Sequence, residues 1–439
     1  MGLIIGVGGT KPTFAYDYYY GIEWDSTVSN PKPTRIGKME LHQSLPVQSL
    51  MRRCLLTDDG AVNYYLHAND STKRDNGAAA NLTGADGQYM VEMPDTYVRF
   101  ETDGTKNRAL ISTQALPGFH LWRKDYISAV EATVQRSTTK LAAVVSTDAD
   151  YRGGNNDATR DGTYRTMLGM PATSISLTNF RTYARKRGST EWNCNVYQTH
   201  RKMWWLFAIE YANFNCQATF NAELDENGYR QGGLGSGVTT IASGTWSSHN
   251  GYYPLVPCGT TNSLGNHSGT VDYTVKNADD TDLITFAVPS YRGVENPFGH
   301  IWKWTDGCKC LIQSEASGGL SEFFVCDEPA NFTSSGVANY QLRGVLPRKE
   351  GYVKALILGE DGEIMPLEVG AGSTTYFCDY FYTSIPGSGV SEHGVLFGGH
   401  ANSGGAYAGF VCAATNLAAT DTYAIVGSRL CFFPQIEAA

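Results

Sequence analysis

From Gly394 to Phe433 the chain reads GVLFGGHANSGGAYAGFVCAATNLAATDTYAIVGSRLCFF, with glycines at 398, 399, 404, 405, 409 and 427. Glycine reaches positive φ without a side-chain penalty, so such a stretch can turn tightly several times in succession. Its closing run, YAIVGSRLCFF, is apolar enough to serve as a strand anchored in a core. Between the glycines lie small or polar residues with no period. Ten of them are free to point outward: His400, Ala401, Asn402, Ser403, Ala406, Tyr407, Val411, Ala413, Thr415 and Asn416. TYFCDYFYT (Thr375 to Thr383) adds Tyr380 and Tyr382 to the same rim. A stiff backbone carrying outward groups lowers the entropy cost of binding. Residues 394–424 therefore read as a recognition surface. A Gly-rich surface loop with no partner is the bland reading of the same composition.

With 439 residues, the chain has room for two or three domains and a large core. Its 48 glycines and 26 tyrosines suit a loop-rich, β-rich binding protein, because tyrosine gives wide amphipathic contact at low entropy cost. Only 18% of residues are charged and the net charge is −9, which argues against nucleic acid as a partner. No segment is long and apolar enough for a membrane helix, so no membrane insertion is expected. The N-terminal MGLIIGVGGT lacks the basic region of a signal peptide and reads as a first strand or an assembly peptide. Gly6 stands where a myristoylation signal needs Ser or Thr. The ten cysteines include no CxxC pair, and Cys308-Lys309-Cys310 is too tight for a zinc knuckle, so buried or free thiols are the default. Sequons at Asn69, Asn81, Asn266 and Asn331 are then chance matches.

Residues 1–88 read as a separate N-terminal unit. It holds an aromatic strand (Phe14 to Trp24), a pair of strands turning at Thr57-Asp58-Asp59-Gly60, and a polar linker or exposed loop from His67 to Gly87. Beyond it, YMVEMPDTYVRFE and RALIST read as strands around Asp103-Gly104, and Leu121 to Gln135 as another. Two helices follow. In Ser176 to Arg187, Ser176 is the N-cap, Leu177, Phe180 and Ala184 form one apolar stripe, Arg185-Lys186-Arg187 suits the dipole at the last turn, and Gly188 stops it. The second, Val196 to Tyr211, is apolar nearly all round and belongs in the core. Residues 222–290 read as a β-rich insertion, and Gly359 to Gly362 as a further hairpin turn.

Three segments carry a resemblance: YISAVEAT (Tyr126 to Thr133), YRGVENPFGHIWKWTDG (Tyr291 to Gly307) and the closing IVGSRLCFF. Their order, with two helices between, resembles the C-type lectin fold in its formylglycine-generating-enzyme branch. Within that branch it resembles variable proteins of diversity-generating retroelements and phage tail receptor-binding proteins, over roughly residues 90–435. The resemblance implies an α+β fold: a C-type lectin-like domain at 89–439 with two helices and the β-rich insertion at 222–290, after a small mostly-β domain at 1–88. It implies a homotrimer on the phage tail, made in the host cytoplasm, attached to tail proteins through residues 1–88 and presenting a diversified surface to a bacterial protein or glycan. In such proteins diversification acts at adenines, often in AAC codons, which cannot become codons for Lys, Glu, Gln, Met or Trp. None of those five occurs from His400 to Ala424.

Two other classes compete with this reading. One is a bacterial surface adhesin of the same fold, which the missing export signal disfavours. The other is an enzyme. The oxidase of this branch uses a close cysteine pair, whereas Cys412 and Cys431 are far apart in sequence. A glycan-cleaving enzyme needs two carboxylates at a set spacing, and Glu295, Asp306 and Asp379 are the candidates. His393 and His400 lack a third zinc ligand, and Asp148-Ala149-Asp150 and Asn155-Asn156-Asp157 lack the calcium-loop pattern. The expectation is no enzyme and no cofactor, with an incidental calcium site open because some relatives bind it.

Overall fold

The computed structural model describes residues 16–434. MGLIIGVGGT and the first two residues of the expected aromatic strand lie outside the described residues. That strand runs Tyr20–Asp25 and joins a five-stranded sheet in the order Thr34–Gly37, Tyr20–Asp25, Lys106–Ser112, Thr96–Asp103, His120–Trp122. A seven-stranded sheet follows the order Trp192–Cys194, Leu430–Phe432, Asp125–Ser128, Gln88–Met93, Arg52–Leu56, Val62–His67, Asp70–Arg74. The boundary expected at residue 88 runs through both sheets. Arg52–Leu56 pairs along its length with Gln88–Met93, and Tyr20–Asp25 with Lys106–Ser112.

The third large sheet contains the recognition window. Its order is Gln341–Val345, Ser321–Val325, Trp302–Gln313, Val390–Gly398, Gly409–Leu417, Tyr380–Thr383, Gly351–Leu358, Glu363–Val369, with Val426–Gly427 beside Trp302. It curls until its edges approach: Gly344 lies against the Ile357 side chain, and Arg343 is paired with Asp361. The approach is close: a Cβ at 344 would stand 2.8 Å from Ile357 Cδ1, so any larger residue there would make the Ile357 side chain shift.

Strand outweighs helix, 37% to 14%, over several sheets. This corrects the expected α+β class, a C-type lectin-like domain of two helices with a separate N-terminal domain: the protein is mostly β. The physical reason is that short aromatic and β-branched runs between glycine turns pair with one another across the whole chain, leaving the helices as filling.

The two expected helices form. Ser176 Oγ accepts from Asn179 N at 3.2 Å and caps Leu177–Arg185, which buries Leu177, Phe180 and Ala184. Tyr197–Tyr211 buries every residue except Gln198. Its Trp204, Trp205 and Phe207 fill the space between the five-stranded sheet and the curled sheet, together with Phe323, Phe381, Phe397 and Phe410. Burial of each such ring is worth roughly 3 kcal/mol. Two further helices were not foreseen, Met39–Ser44 and Ser243–Asn250, the latter inside the expected β-rich insertion. The expected single strand Leu121 to Gln135 is three short ones: His120–Trp122, Asp125–Ser128 and Thr133–Gln135. Part of the expected linker is the hairpin of Val62–His67 with Asp70–Arg74.

Candidate functional site

The strand Tyr380–Thr383 alternates faces as a strand must. Phe381 is buried in the core, and Tyr380 and Tyr382 stand half-buried on the other side. Tyr352 lies opposite Tyr380 across the neighbouring antiparallel strand. Tyr407 comes from the short turn that Gly404 opens at φ +56. The four rings meet. Tyr380 is 4.7 Å from Tyr382, 4.9 Å from Tyr407 and 5.0 Å from Tyr352, and Tyr352 stacks on Tyr407 at 5.5 Å. The file continues inward. Tyr382 meets Trp302 edge-on at 5.9 Å, Trp302 meets His400 at 6.1 Å, His400 meets Trp246 at 5.7 Å, and Trp246 meets Tyr252 at 5.5 Å. Tyrosines thus occupy the surface and tryptophans lie beneath.

This face carries little charge. Burial raises the phenols of Tyr380 and Tyr382 above their ordinary value and pushes Tyr352 up to about 12. Burial lowers the His400 imidazole to about 4. At neutral pH these groups are uncharged hydroxyls and a neutral ring, able to hydrogen-bond and to bury apolar area together.

The support below is rigid. Asp379 is buried, and its Oδ2 accepts from Val411 N at 2.8 Å. Burial drives its pKa well above the usual carboxylate range. Gly409, at φ +142, lies directly over it: a Cβ at 409 would stand 2.0 Å from Asp379 Oδ1. On the other side of the turn, His300 ties the segments together. Its Nε2 accepts from Leu255 N at 3.0 Å and Val256 N at 3.1 Å, so the proton sits on Nδ1, which faces Glu131. Its carbonyl accepts from Ala401 N at 3.0 Å. Asn402 Nδ2 donates to Ile241 O at 2.8 Å.

The structure separates the twelve expected contact residues into groups. Tyr407, at 41% exposure, and Asn416 are on the surface. His400, Asn402, Ala406, Tyr380 and Tyr382 are half-buried. Ala401, Ser403, Val411, Ala413 and Thr415 are buried and do not reach the surface. The cause is the strand Gly409–Leu417, which runs between Val390–Gly398 and Tyr380–Thr383 with both faces covered. Val411 and Ala413 point into the core filled by the long helix, while Cys412 and Ala414 point into a second cluster with Trp302 and Trp304. Thr415 Oγ1 is 3.1 Å from Thr383 Oγ1. Ala401 packs with Trp246, and Ser403 Oγ accepts from His400 N at 2.9 Å. Tyr352, Trp302, Trp246 and Tyr252 were missed as members of this site. Tyr352 follows Gly351 at the start of an alternating strand, but its partner Tyr380 is in a different strand, and sequence gives no register between them.

Each candidate catalytic acid is held by its own set of partners. Asp306 is held by Arg181 through bonds of 2.6 and 2.9 Å. Glu295 accepts from Gly259 N at 2.9 Å and Thr261 N at 2.6 Å. Asp379 lies under Gly409 as described. His393 bonds Thr415 O and Ser391 Oγ. Asp150 accepts from Ser137, and Asp148 and Asp157 cap short turns. All ten cysteines are free and buried, and burial raises the thiols of Cys412 and Cys431. Among the described residues no group of three His, Cys, Asp or Glu is placed to hold a metal, and no helix is long and apolar enough to cross a membrane.

No family profile matches the chain, and no curated protein does. Among solved structures it is similar to PvdO from Pseudomonas aeruginosa, at 12% identity and TM-score 0.35, over 81% of this chain and 100% of that one. It is also similar to the Major Tropism Determinant in its P3c and U1 variants. Both are at 12% identity, over 77% of this chain and 71% of theirs, with TM-scores of 0.23 and 0.22. Likeness at these scores fixes neither fold nor chemistry.

Proposed function

We propose that this chain is a host-recognition protein of a phage tail, and that its contact surface is the tyrosine face rather than the whole of residues 394–424. The observation that carries the reading is the cluster of Tyr352, Tyr380, Tyr382 and Tyr407 on a stiff sheet. Such rings bring large contact area with few rotors to freeze, which suits binding to another surface. The sequence resemblance of Tyr291 to Gly307 and of the closing strand to tail receptor-binding proteins supplies the biological setting. In this reading the positions open to variation are His400, Asn402, Ala406 and Asn416, each of which keeps some exposure. The chain acts as a homotrimer in the virion, so that several weak contacts add by avidity.

The test is adsorption of the purified full chain to a panel of bacteria, with Tyr380→Ala and Tyr407→Ala as variants. The expected outcome is at least a tenfold loss of cell binding for each, on the order of 1.4 kcal/mol or more, with an unchanged unfolding midpoint. Undiminished binding by the double variant would sink the proposal.

A further inference from the structure

One charge on the tyrosine face has no counter-ion among the described residues. In the antiparallel pair, Gly351 stands opposite Phe381 and Tyr352 opposite Tyr380. Carried one residue further, that register sets Glu350 opposite Tyr382, on the side of the sheet that Tyr352 and Tyr380 share. A hydrogen bond fixes the carboxylate there: Glu350 Oε1 accepts from Thr383 N at 3.3 Å. The residue is exposed, and its Oε2 has no partner among the described residues. Behind burial, Glu350 is among the groups that raise the phenols of Tyr380 and Tyr382, as a carboxylate near both must.

The neighbouring cations do not answer it. Lys354, two residues beyond Tyr352, is taken by Glu368 at 2.8 Å. Lys349 is exposed and forms no ion pair among the described residues. An unmatched carboxylate on an aromatic face favours a cation, because the ring faces and the carboxylate attract the same charge. Polysaccharide hydroxyls would leave the Glu350 charge unanswered.

Shape narrows the cation. The four rings touch one another, at centroid distances of 4.7, 4.9, 5.0 and 5.5 Å, so they enclose no chamber for a round trimethylammonium group. They offer flat surface instead, with Tyr407 at 41% exposure. A guanidinium is planar and weakly hydrated, stacks on such rings, and still has N–H groups to send to a carboxylate. The Tyr380 hydroxyl, with no hydrogen-bond partner among the described residues, is a second acceptor. Resting on the reading that the tyrosine face is the contact surface, we propose that its partner is a protein presenting an arginine, whose guanidinium lies against the tyrosines and donates to Glu350. Tyrosine and arginine are also among the residue types that concentrate binding energy at protein interfaces.

The experiment has two arms, both on the full chain. In the first, Glu350→Gln, Lys349→Gln and Tyr380→Ala are compared with the parent for adsorption to the bacterial panel at low and high salt. Glu350→Gln keeps the size of the side chain and removes its charge, so adsorption should weaken about fivefold and lose part of its salt dependence. Lys349→Gln should adsorb as well as the parent or better. In the second arm, tyrosine ring resonances are followed by NMR during titration with N-acetylarginine amide, its neutral isostere N-acetylcitrulline amide, and choline. The arginine amide should bind at least about threefold more tightly than either comparison, and Glu350→Gln should abolish that preference. Loss of adsorption in Tyr380→Ala with full adsorption in Glu350→Gln would leave the tyrosine face standing and overturn the arginine. Choline binding more tightly than the arginine amide, or weaker adsorption by Lys349→Gln, would overturn it as well. Full adsorption by Tyr380→Ala would overturn both the arginine and the reading beneath it.

Discussion

The turn at residues 399–408 and the strand Gly409–Leu417 adjoin in sequence, share the same small-residue composition, and do opposite work. In the turn, small residues keep the backbone short while Tyr407 faces outward and His400, Asn402 and Ala406 keep partial exposure. In the strand, small residues let two packed layers close on either side, so that Val411, Cys412 and Ala413 are wholly buried. Glycine marks both regimes. Gly404 has open space where a side chain would go, whereas Gly409 has a carboxylate. Low side-chain volume therefore signals close approach of something, and sequence does not say whether that is solvent or protein.

The contrast can be broken most severely at Gly409. Gly409→Ala places a methyl in the Asp379 carboxylate at a φ that L-residues avoid, so a loss of about 3 kcal/mol or more in urea unfolding is expected. A loss below about 1 kcal/mol would mean the strand is not held as described. Next is the strand interior: Val411→Ala should cost about 2 kcal/mol by denaturant titration. If it is silent while cell binding changes, the strand belongs to the contact surface after all.

The turn can be probed by pH. His400 stays neutral in the fold down to about 4, while an unstructured histidine protonates near 6.5. Between those values the unfolded chain takes up a proton that the folded chain refuses, so the contribution of His400 to stability is present above 6.5 and falls as pH drops toward 4. His400→Gln should flatten part of that acid-side slope in thermal melts. An identical slope in the variant would place the imidazole in water. Asn416→Lys should be smallest, within about 0.5 kcal/mol of the parent by the same melts.

Some of this was legible beforehand. Ser176 and the stripe Leu177, Phe180, Ala184 fixed one helix, because cap and period are local. The all-round apolar run Val196 to Tyr211 announced a core helix for the same reason. The turn at Gly60 (φ +84) was readable from Asp59-Gly60. What stayed hidden is long-range. Nothing near Cys54 says that it will face Met90, and nothing in YVKALILG says that Tyr352 will face Tyr380. Trp246 sits in SGTWSSHN, a polar stretch with no helical period, and is buried by partners distant in sequence. The burial of Ala413 was invisible because alanine is at home in turns, strands and cores alike.

Phe432 has its own consequence. Its ring lies over Gly60, where a Cβ would stand 2.2 Å away, and its strand pairs with both Asp125–Ser128 and Trp192–Cys194. A chain emerging from the ribosome must therefore hold two open strand edges until residue 432 has been synthesised. Closure of the seven-stranded sheet thus waits on one of the last segments made, and pairing across such sequence distance slows folding.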